Sequence, residues 1–152
     1  MSVIARLEEQ PFDPSAELAE LIASAAGDGA VVSFVGIARP KTKTGEVVEQ
    51  MVLEHHPRLT IQSLRQIADD GAKRFGTCQI RVVHRCGAIR PGEPIVFAGA
   101  ASPHRRAAFE AADYLMDRLK TEAVFWKRED YSSGSGWIEP TDADYADRDR
   151  WE

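Results

Sequence analysis

Apolar and polar positions along this chain follow two periods, one of strands and one of helices. Residues 3 to 8 fit a short strand. Asp13 is a helix cap with Pro14 at the first helical position, and the helix runs to Gly27-Asp28-Gly29. The β-branched run AVVSFVGI, residues 30 to 37, predicts a buried strand. ARPKTKTGEV, residues 38 to 47, is polar and broken by Pro and Gly, so it predicts an exposed, mobile loop. Residues 48 to 55 alternate as a strand does. After Pro57, Leu59, Leu64, Ile67, Ala68 and Phe75 recur at helical spacing. CQIRVVHRC is the next strand, GAIRPGE a turn and PIVFAGAAS another strand. A long helix covers roughly residues 103 to 120, with Ala108, Ala111, Ala112, Leu115, Met116 and Leu119 inward, and residues 123 to 129 form a further strand. The order βαββαββαβ has too few βαβ crossovers for a doubly wound sheet. It predicts an α+β fold with helices packed on a mainly antiparallel sheet. No repeat, linker or boundary interrupts residues 1–152, which read as one domain.

Composition narrows the function classes. Of 152 residues 43% are hydrophobic and 28% charged, an ordinary globular balance. No apolar run is long enough to cross a membrane. MSVIARLEEQ lacks the basic start and apolar core of a secretory signal, so the cytoplasm is the expected location. The net charge of -5, with an acidic TDADYADRDRWE stretch, argues against nucleic acid as a partner. Any cationic site must then be local, aimed at a small anion or an acidic segment. Cys78 and Cys86, flanking one strand, lie about 26 Å apart at roughly 3.3 Å per residue. Both are expected as reduced thiols. No CxxC occurs, and His55-His56 and His84 lack metal-partner spacing, so neither a metal nor a cofactor is expected. GAIRPG has glycines five apart, but Glu93-Pro94 stands where a phosphate loop needs Lys-Ser/Thr.

Two stretches carry candidate chemistry. In ASPHRRAAFEAA, Ser102 reads as the cap and Pro103 as the first helical residue, which puts His104 and Arg105 in the first turn. Cations there oppose the helix dipole at a cost of about 0.3–1 kcal/mol. An anion held by free N–H groups, His104 and Arg105 would reverse that cost. A solvated basic turn that tolerates it is the other reading, and both stay open. In LKTEAVFWKRED, Lys120 ends a helix, where a cation is favoured. In a strand, Phe125, Lys127 and Glu129 share one face, and Val124, Trp126 and Arg128 the other. A lysine beside aromatic surface is partly desolvated, which lowers its pKa and suits it to proton transfer. A protective lysine on an edge strand is the bland alternative. Arg39 follows strand 30–37 at the mouth of the polar loop, a position open to anion binding or to plain exposure, and Lys41 and Lys43 read as solvated charges.

These residues carry a resemblance. GDGAVVSFVGIAR, LEHHP, HRCGAIRPGEPIVFAGAASPHRRAAFEAADYLMDRLK and KTEAVFWKRE occur in that order over about residues 3 to 139. Together they resemble the large, catalytic subunit of the molybdopterin synthase family. The resemblance implies an α/β hammerhead with an antiparallel sheet. It implies a sulfurtransferase that converts cyclic pyranopterin monophosphate, a small pterin substrate, into molybdopterin. The sulfur donor would be a small ubiquitin-like partner with a C-terminal Gly-Gly thiocarboxylate. The assembly would be a homodimer of large subunits within a heterotetramer.

By position, the resemblance makes Lys120 and Lys127 the catalytic lysines. It makes His104 and Arg105 the substrate-anion pair, Arg39 a substrate arginine with Ile37 and Ala38 as backbone neighbours, and Arg128 and Glu129 the rest of the binding set. Val124, Phe125 and Trp126 would line the slot for the partner's tail. The chain departs from the family at Pro40-Lys41-Thr42, His56 and Val124, where Asn-His, Tyr and Pro are common. Two other classes fit the same residues. One is a non-catalytic dimeric module binding a phosphorylated ligand or acidic peptide. The other is a small-molecule transferase needing no protein sulfur donor.

Overall fold

A computed structural model describes residues 2–77 and 79–152, so the expectation for Cys78 falls outside the described residues. The elements run β1 (Ser2–Glu8), α1 (Pro14–Ser24), β2 (Ala30–Ile37), β3 (Val48–His55), α2 (Leu59–Phe75) and β4 (Gln79–Arg85). They continue with β5 (Gly87–Ile89), β6 (Pro94–Ser102), α3 (Arg105–Glu122), β7 (Phe125–Tyr131), β8 (Gly134–Ile138) and α4 (Asp142–Asp149). Two four-stranded sheets form, where one was expected. The first has the order β1-β4-β6-β2, with β1–β4 parallel and its other pairs antiparallel. The second, β5-β3-β7-β8, is antiparallel throughout. The class is α+β.

The first sheet is buried on both faces. Ile80, Val82, Ala98 and Ala100 face α2 and α3, against Leu64, Ile67, Ala68, Ala111 and Leu115. Each such Leu or Ile contributes about 1.5–3 kcal/mol by leaving water. The opposite face takes Val83, Phe97 and Ala101 against Leu21 of α1. On that side Glu17 is buried and accepts hydrogen bonds from Arg81 Nε at 3.0 Å and Arg6 Nη1 at 3.1 Å.

Several local expectations are corrected. Strand β2 is a sheet edge, with Phe34 and Ile37 exposed, so its apolar run was misread as wholly buried. Leu59 points outward from the first turn of α2. Ser102 is the last, buried residue of β6 rather than a cap, and α3 opens at Arg105 with His104 as an N-cap lacking a side-chain bond. The turn GAIRPGE contains β5, which pairs with β3. The loop 38–47 folds back on itself, with a bridge between Lys41 and Val47 and Thr42 N–H donating to the Glu46 carbonyl at 2.8 Å. Helix α4 is held by a capping box in which Thr141 and Asp144 satisfy each other's backbone N–H groups.

Candidate functional site

Two polar side chains of α2 place the strand that carries Lys127. Thr60 Oγ1 donates to the Val124 carbonyl at 2.6 Å and accepts from His56 N–H at 2.8 Å, while Ser63 Oγ accepts from Val124 N–H at 3.1 Å. The link between α3 and β7 is thereby anchored, and β7 registers against β3 with Lys127 opposite Leu53 and Glu129 opposite Met51. Phe125 packs inward between the two sheets and Trp126 outward into solvent, as strand alternation dictates. Val124, Phe125 and Trp126 therefore do not line one slot.

The inward face of β7 carries the site. Glu129 is almost fully buried and accepts from Arg39 Nη2 at 2.8 Å and Nε at 3.0 Å, a bidentate pair. Its carboxylate is committed to orienting Arg39, whose guanidinium stays partly exposed. Lys127 is half-buried beside them. Burial, followed by the charge of Lys120 and more weakly that of Arg39, holds its pKa below the usual lysine value, while Glu129 and Asp144 of α4 pull the other way. Lys120, on the last turn of α3, is exposed. Arg39, Glu129, Thr42, Lys43, Glu46 and Trp137 line a cleft of about 270 Å³. Lys43 lies on the rim of that cleft and is exposed, in keeping with a solvated charge.

His84 is a residue that sequence reasoning missed. It is buried, its ring stacks on Phe125 at 4.3 Å between centroids, and its Nδ1 lies 2.8 Å from the Arg85 carbonyl. A carbonyl can only accept, so Nδ1 bears the proton. Burial first, then the charges of Lys127 and Lys120, push its pKa down to about 4, against the hydrogen bond to Arg85. The signal in the sequence is slight: a histidine in phase with Ile80 and Val82 on the inner face of QIRVVHR.

Other candidate residues lie elsewhere. Arg128 projects from the opposite face of β7, pairs with Asp130 at 2.7 Å and sits over the Trp137 ring, so it does not converge with Lys127. The Ala38 backbone is already used, its N–H on the Glu93 carbonyl and its carbonyl on Gly92 N–H, while Ile37 is exposed. His104 and Arg105 stand exposed at the uncapped start of α3, with no acidic residue in the first turn. Gly29 fixes that start, because a Cβ there would meet the Pro103 carbonyl at 2.3 Å. Fifteen helical steps separate Arg105 from Lys120, about 22 Å at about 1.5 Å per residue. One chain does not bring the two sets together.

This arrangement has relatives. The sequence profile described as MoaE protein matches residues 7–122. The molybdopterin synthase catalytic subunit of Pseudomonas aeruginosa is 46% identical over 147 residues, covering 97% of each chain. The structure titled molybdopterin biosynthesis MoaE protein from Burkholderia ambifaria superposes with a TM-score of 0.80 at 35% identity, over 99% of this chain and 98% of that one. A Helicobacter pylori structure, titled a complex of subunits 1 and 2 of molybdopterin-converting factor, shares the fold at a TM-score of 0.69 and 18% identity, over 90% and 88% of the chains. A family match over most of the chain, with close relatives along nearly all of it, establishes that the chain belongs to the MoaE protein family.

Proposed function

We propose that residues 1–152 form a single catalytic-subunit domain of a molybdopterin synthase. It transfers sulfur from a thiocarboxylated, ubiquitin-like partner ending in Gly-Gly to cyclic pyranopterin monophosphate. The observation that carries this reading is the half-buried Lys127, beside Lys120 and the Arg39–Glu129 pair, in a chain of the MoaE family. Three cations face one committed carboxylate there. The surplus suits an anionic sulfur donor and an anionic substrate. The P. aeruginosa relative bears the name of the catalytic subunit, and the H. pylori protein was solved with a second subunit, which supports a small partner here.

In this reading the thiocarboxylate sulfur forms a bond to a side-chain carbon of the pterin as a carbon–oxygen bond at that carbon breaks, and the departing oxygen takes a proton. Water then cleaves the acyl–sulfur bond, which leaves the sulfur on the pterin and releases the partner as a carboxylate. Lys120, exposed and cationic, polarises the carbonyl, and Lys127, with its lowered pKa, moves the proton. The distance along α3 supports a homodimer within the heterotetramer. His104 and Arg105 can meet the same small substrate as the lysines only if a second copy supplies them. Exposed Phe34, Ile37 and Phe109 offer apolar surface for that copy.

Lys120→Ala should cut product formation by roughly 10²–10⁴-fold with an unchanged unfolding midpoint. A partner lacking its two terminal glycines should still bind, more weakly, and donate no sulfur. At substrate concentrations far below saturation, where Arg105→Ala is also slow, mixing Lys120→Ala with Arg105→Ala chains should restore activity, because one site of a mixed dimer regains both groups. Near-normal turnover by Lys120→Ala, or by Lys120→Arg and Lys127→Arg together, would remove the lysines from the chemistry, and no binding of the intact partner would favour the non-catalytic module. Failure of the mixture alone would remove the shared site and leave the chemistry standing.

A further inference from the structure

We propose that Glu9, His55 and Cys86 form a binding site for a divalent transition metal of the zinc class. One carboxylate oxygen, one imidazole nitrogen and the thiol sulfur all lie within 4.8 Å of one another. The three come from separate segments: Glu9 just after β1, His55 at the end of β3, and Cys86 in the link from β4 to β5. That link is where the chain passes from the first sheet to the second. A spacing of 9, 55 and 86 forms no motif, which is why sequence inspection gave no reason to expect a metal.

The backbone holds this geometry. Cys86 N–H donates to the Glu8 carbonyl at 2.9 Å, continuing the β1–β4 pairing in which Glu8 stands opposite Arg85. His55 is paired in register with Phe125. Two of the three donors therefore sit on or beside sheet positions, and Glu9, exposed just past the end of β1, is the one that closes on the ion. A tetrahedral site with sulfur at about 2.3 Å and nitrogen or oxygen at about 2.0–2.1 Å keeps ligand atoms roughly 3.3–3.8 Å apart. Closing the cluster takes side-chain shifts of about an ångström.

The donor set decides the ion. Thiolate and imidazole favour zinc or cobalt over magnesium and calcium, which take oxygen ligands. As the metal–sulfur bond forms, the thiol proton leaves to solvent. Thiolate and carboxylate then balance the two positive charges. Three protein ligands leave a fourth position for water. Burial is graded across the three donors, with Cys86 buried, His55 half-buried and Glu9 exposed. His55, opposite Phe125, shares the face of the second sheet that carries Lys127, while Glu9 and Cys86 come from segments bordering the first sheet, so the proposed ion would pin the two sheets together next to that face.

The test uses the chelator-treated full chain titrated with cobalt(II) and then zinc(II). Expected is one cobalt per chain, a thiolate-to-cobalt charge-transfer band, displacement by zinc, and a raised unfolding midpoint. Cys86→Ser should abolish the band. Glu9→Gln, at an exposed position that does not threaten folding, should weaken cobalt affinity while keeping the band. Cobalt bound without the band, or affinity unchanged in Glu9→Gln, overturns the proposal.

Discussion

Two glutamates of this chain grip arginines in similar fashion and to different ends. Glu17, under the first sheet, accepts from Arg6 and Arg81, and among the described residues no lysine stands beside it. Burial would raise its pKa, yet the two arginine hydrogen bonds outweigh burial and hold it below the usual value. Glu129, in the second sheet, accepts both its hydrogen bonds from Arg39, leaving Lys127 and Lys120 without a carboxylate of their own at hydrogen-bond distance among the described residues. Glu8 also pairs with Arg6 at 3.0 Å, so the first arrangement, two arginines against two glutamates, is electrically closed and joins α1 to the sheet. The second is open by two positive charges. A charge cluster that ends in surplus at a cleft is one that a ligand can complete.

The largest expected effect comes from breaking both glutamates. Glu17→Gln strands the buried Arg81 and should lower stability by about 3–5 kcal/mol, measured by urea unfolding, with turnover per folded molecule unchanged. Glu129→Gln should cost less stability, because the half-exposed Arg39 can turn to water, and should reduce turnover. Equal stability losses with equal activity would erase the distinction between the two sites.

A second probe is acid. His84 has a pKa of about 4 in the fold against 6.5 unfolded. The folded state therefore binds fewer protons between these values. Its contribution is complete above pH 6.5 and drains away as pH falls toward 4, on the order of 3 kcal/mol in all. Lys127 and Lys120 are the cations that resist its protonation. Unfolding curves in chelator across that window should show the decline in the parent chain, and His84→Gln should flatten it.

A third probe is Arg105→Ala. It should weaken substrate affinity by about 1.5–3 kcal/mol, the worth of a charge-assisted hydrogen bond, and leave the maximal rate nearly unchanged. A change in rate alone would remove Arg105 from the anion site. The smallest expected effect is electrostatic. Lys120→Met deletes a like charge beside Lys127, so the Lys127 pKa should rise toward its ordinary value. Titration of the labelled Lys127 ammonium by NMR measures the direction, and an unchanged value would show that the two lysines are not coupled.

The fold was legible where pattern and burial agree. Strands 30–37, 48–55 and 94–102 match their predicted bounds because β-branched runs end at Gly, Pro or polar breaks. The split into two sheets was not legible, since it depends on β5, three residues inside an apparent turn, pairing with β3. Helix α4 did carry a signal, the Thr141 to Asp144 spacing of a capping box, hidden in a stretch read only for its acidity. Lys127 was legible from aromatic neighbours and alternation. Its setting was not: Arg39 meets Glu129 across 90 positions, and Thr60 reaches Val124 across 64.

The strand order of the first sheet has a consequence in time. None of its adjacent strands is joined by a simple hairpin: β1 needs β4, and β2 needs β6. During synthesis, residues 2–8 have no partner until residues 79–85 emerge, and residues 30–37 wait for residues 94–102. Helices α1 and α2 can form locally in that interval with nothing to pack against. Such long-range pairing places folding toward the slow, milliseconds-to-seconds end of the range for single domains and leaves sheet edges open meanwhile. A nascent chain of this protein is therefore at its most adhesive when about half made, and the growth of β6 between β4 and β2 ends that exposure.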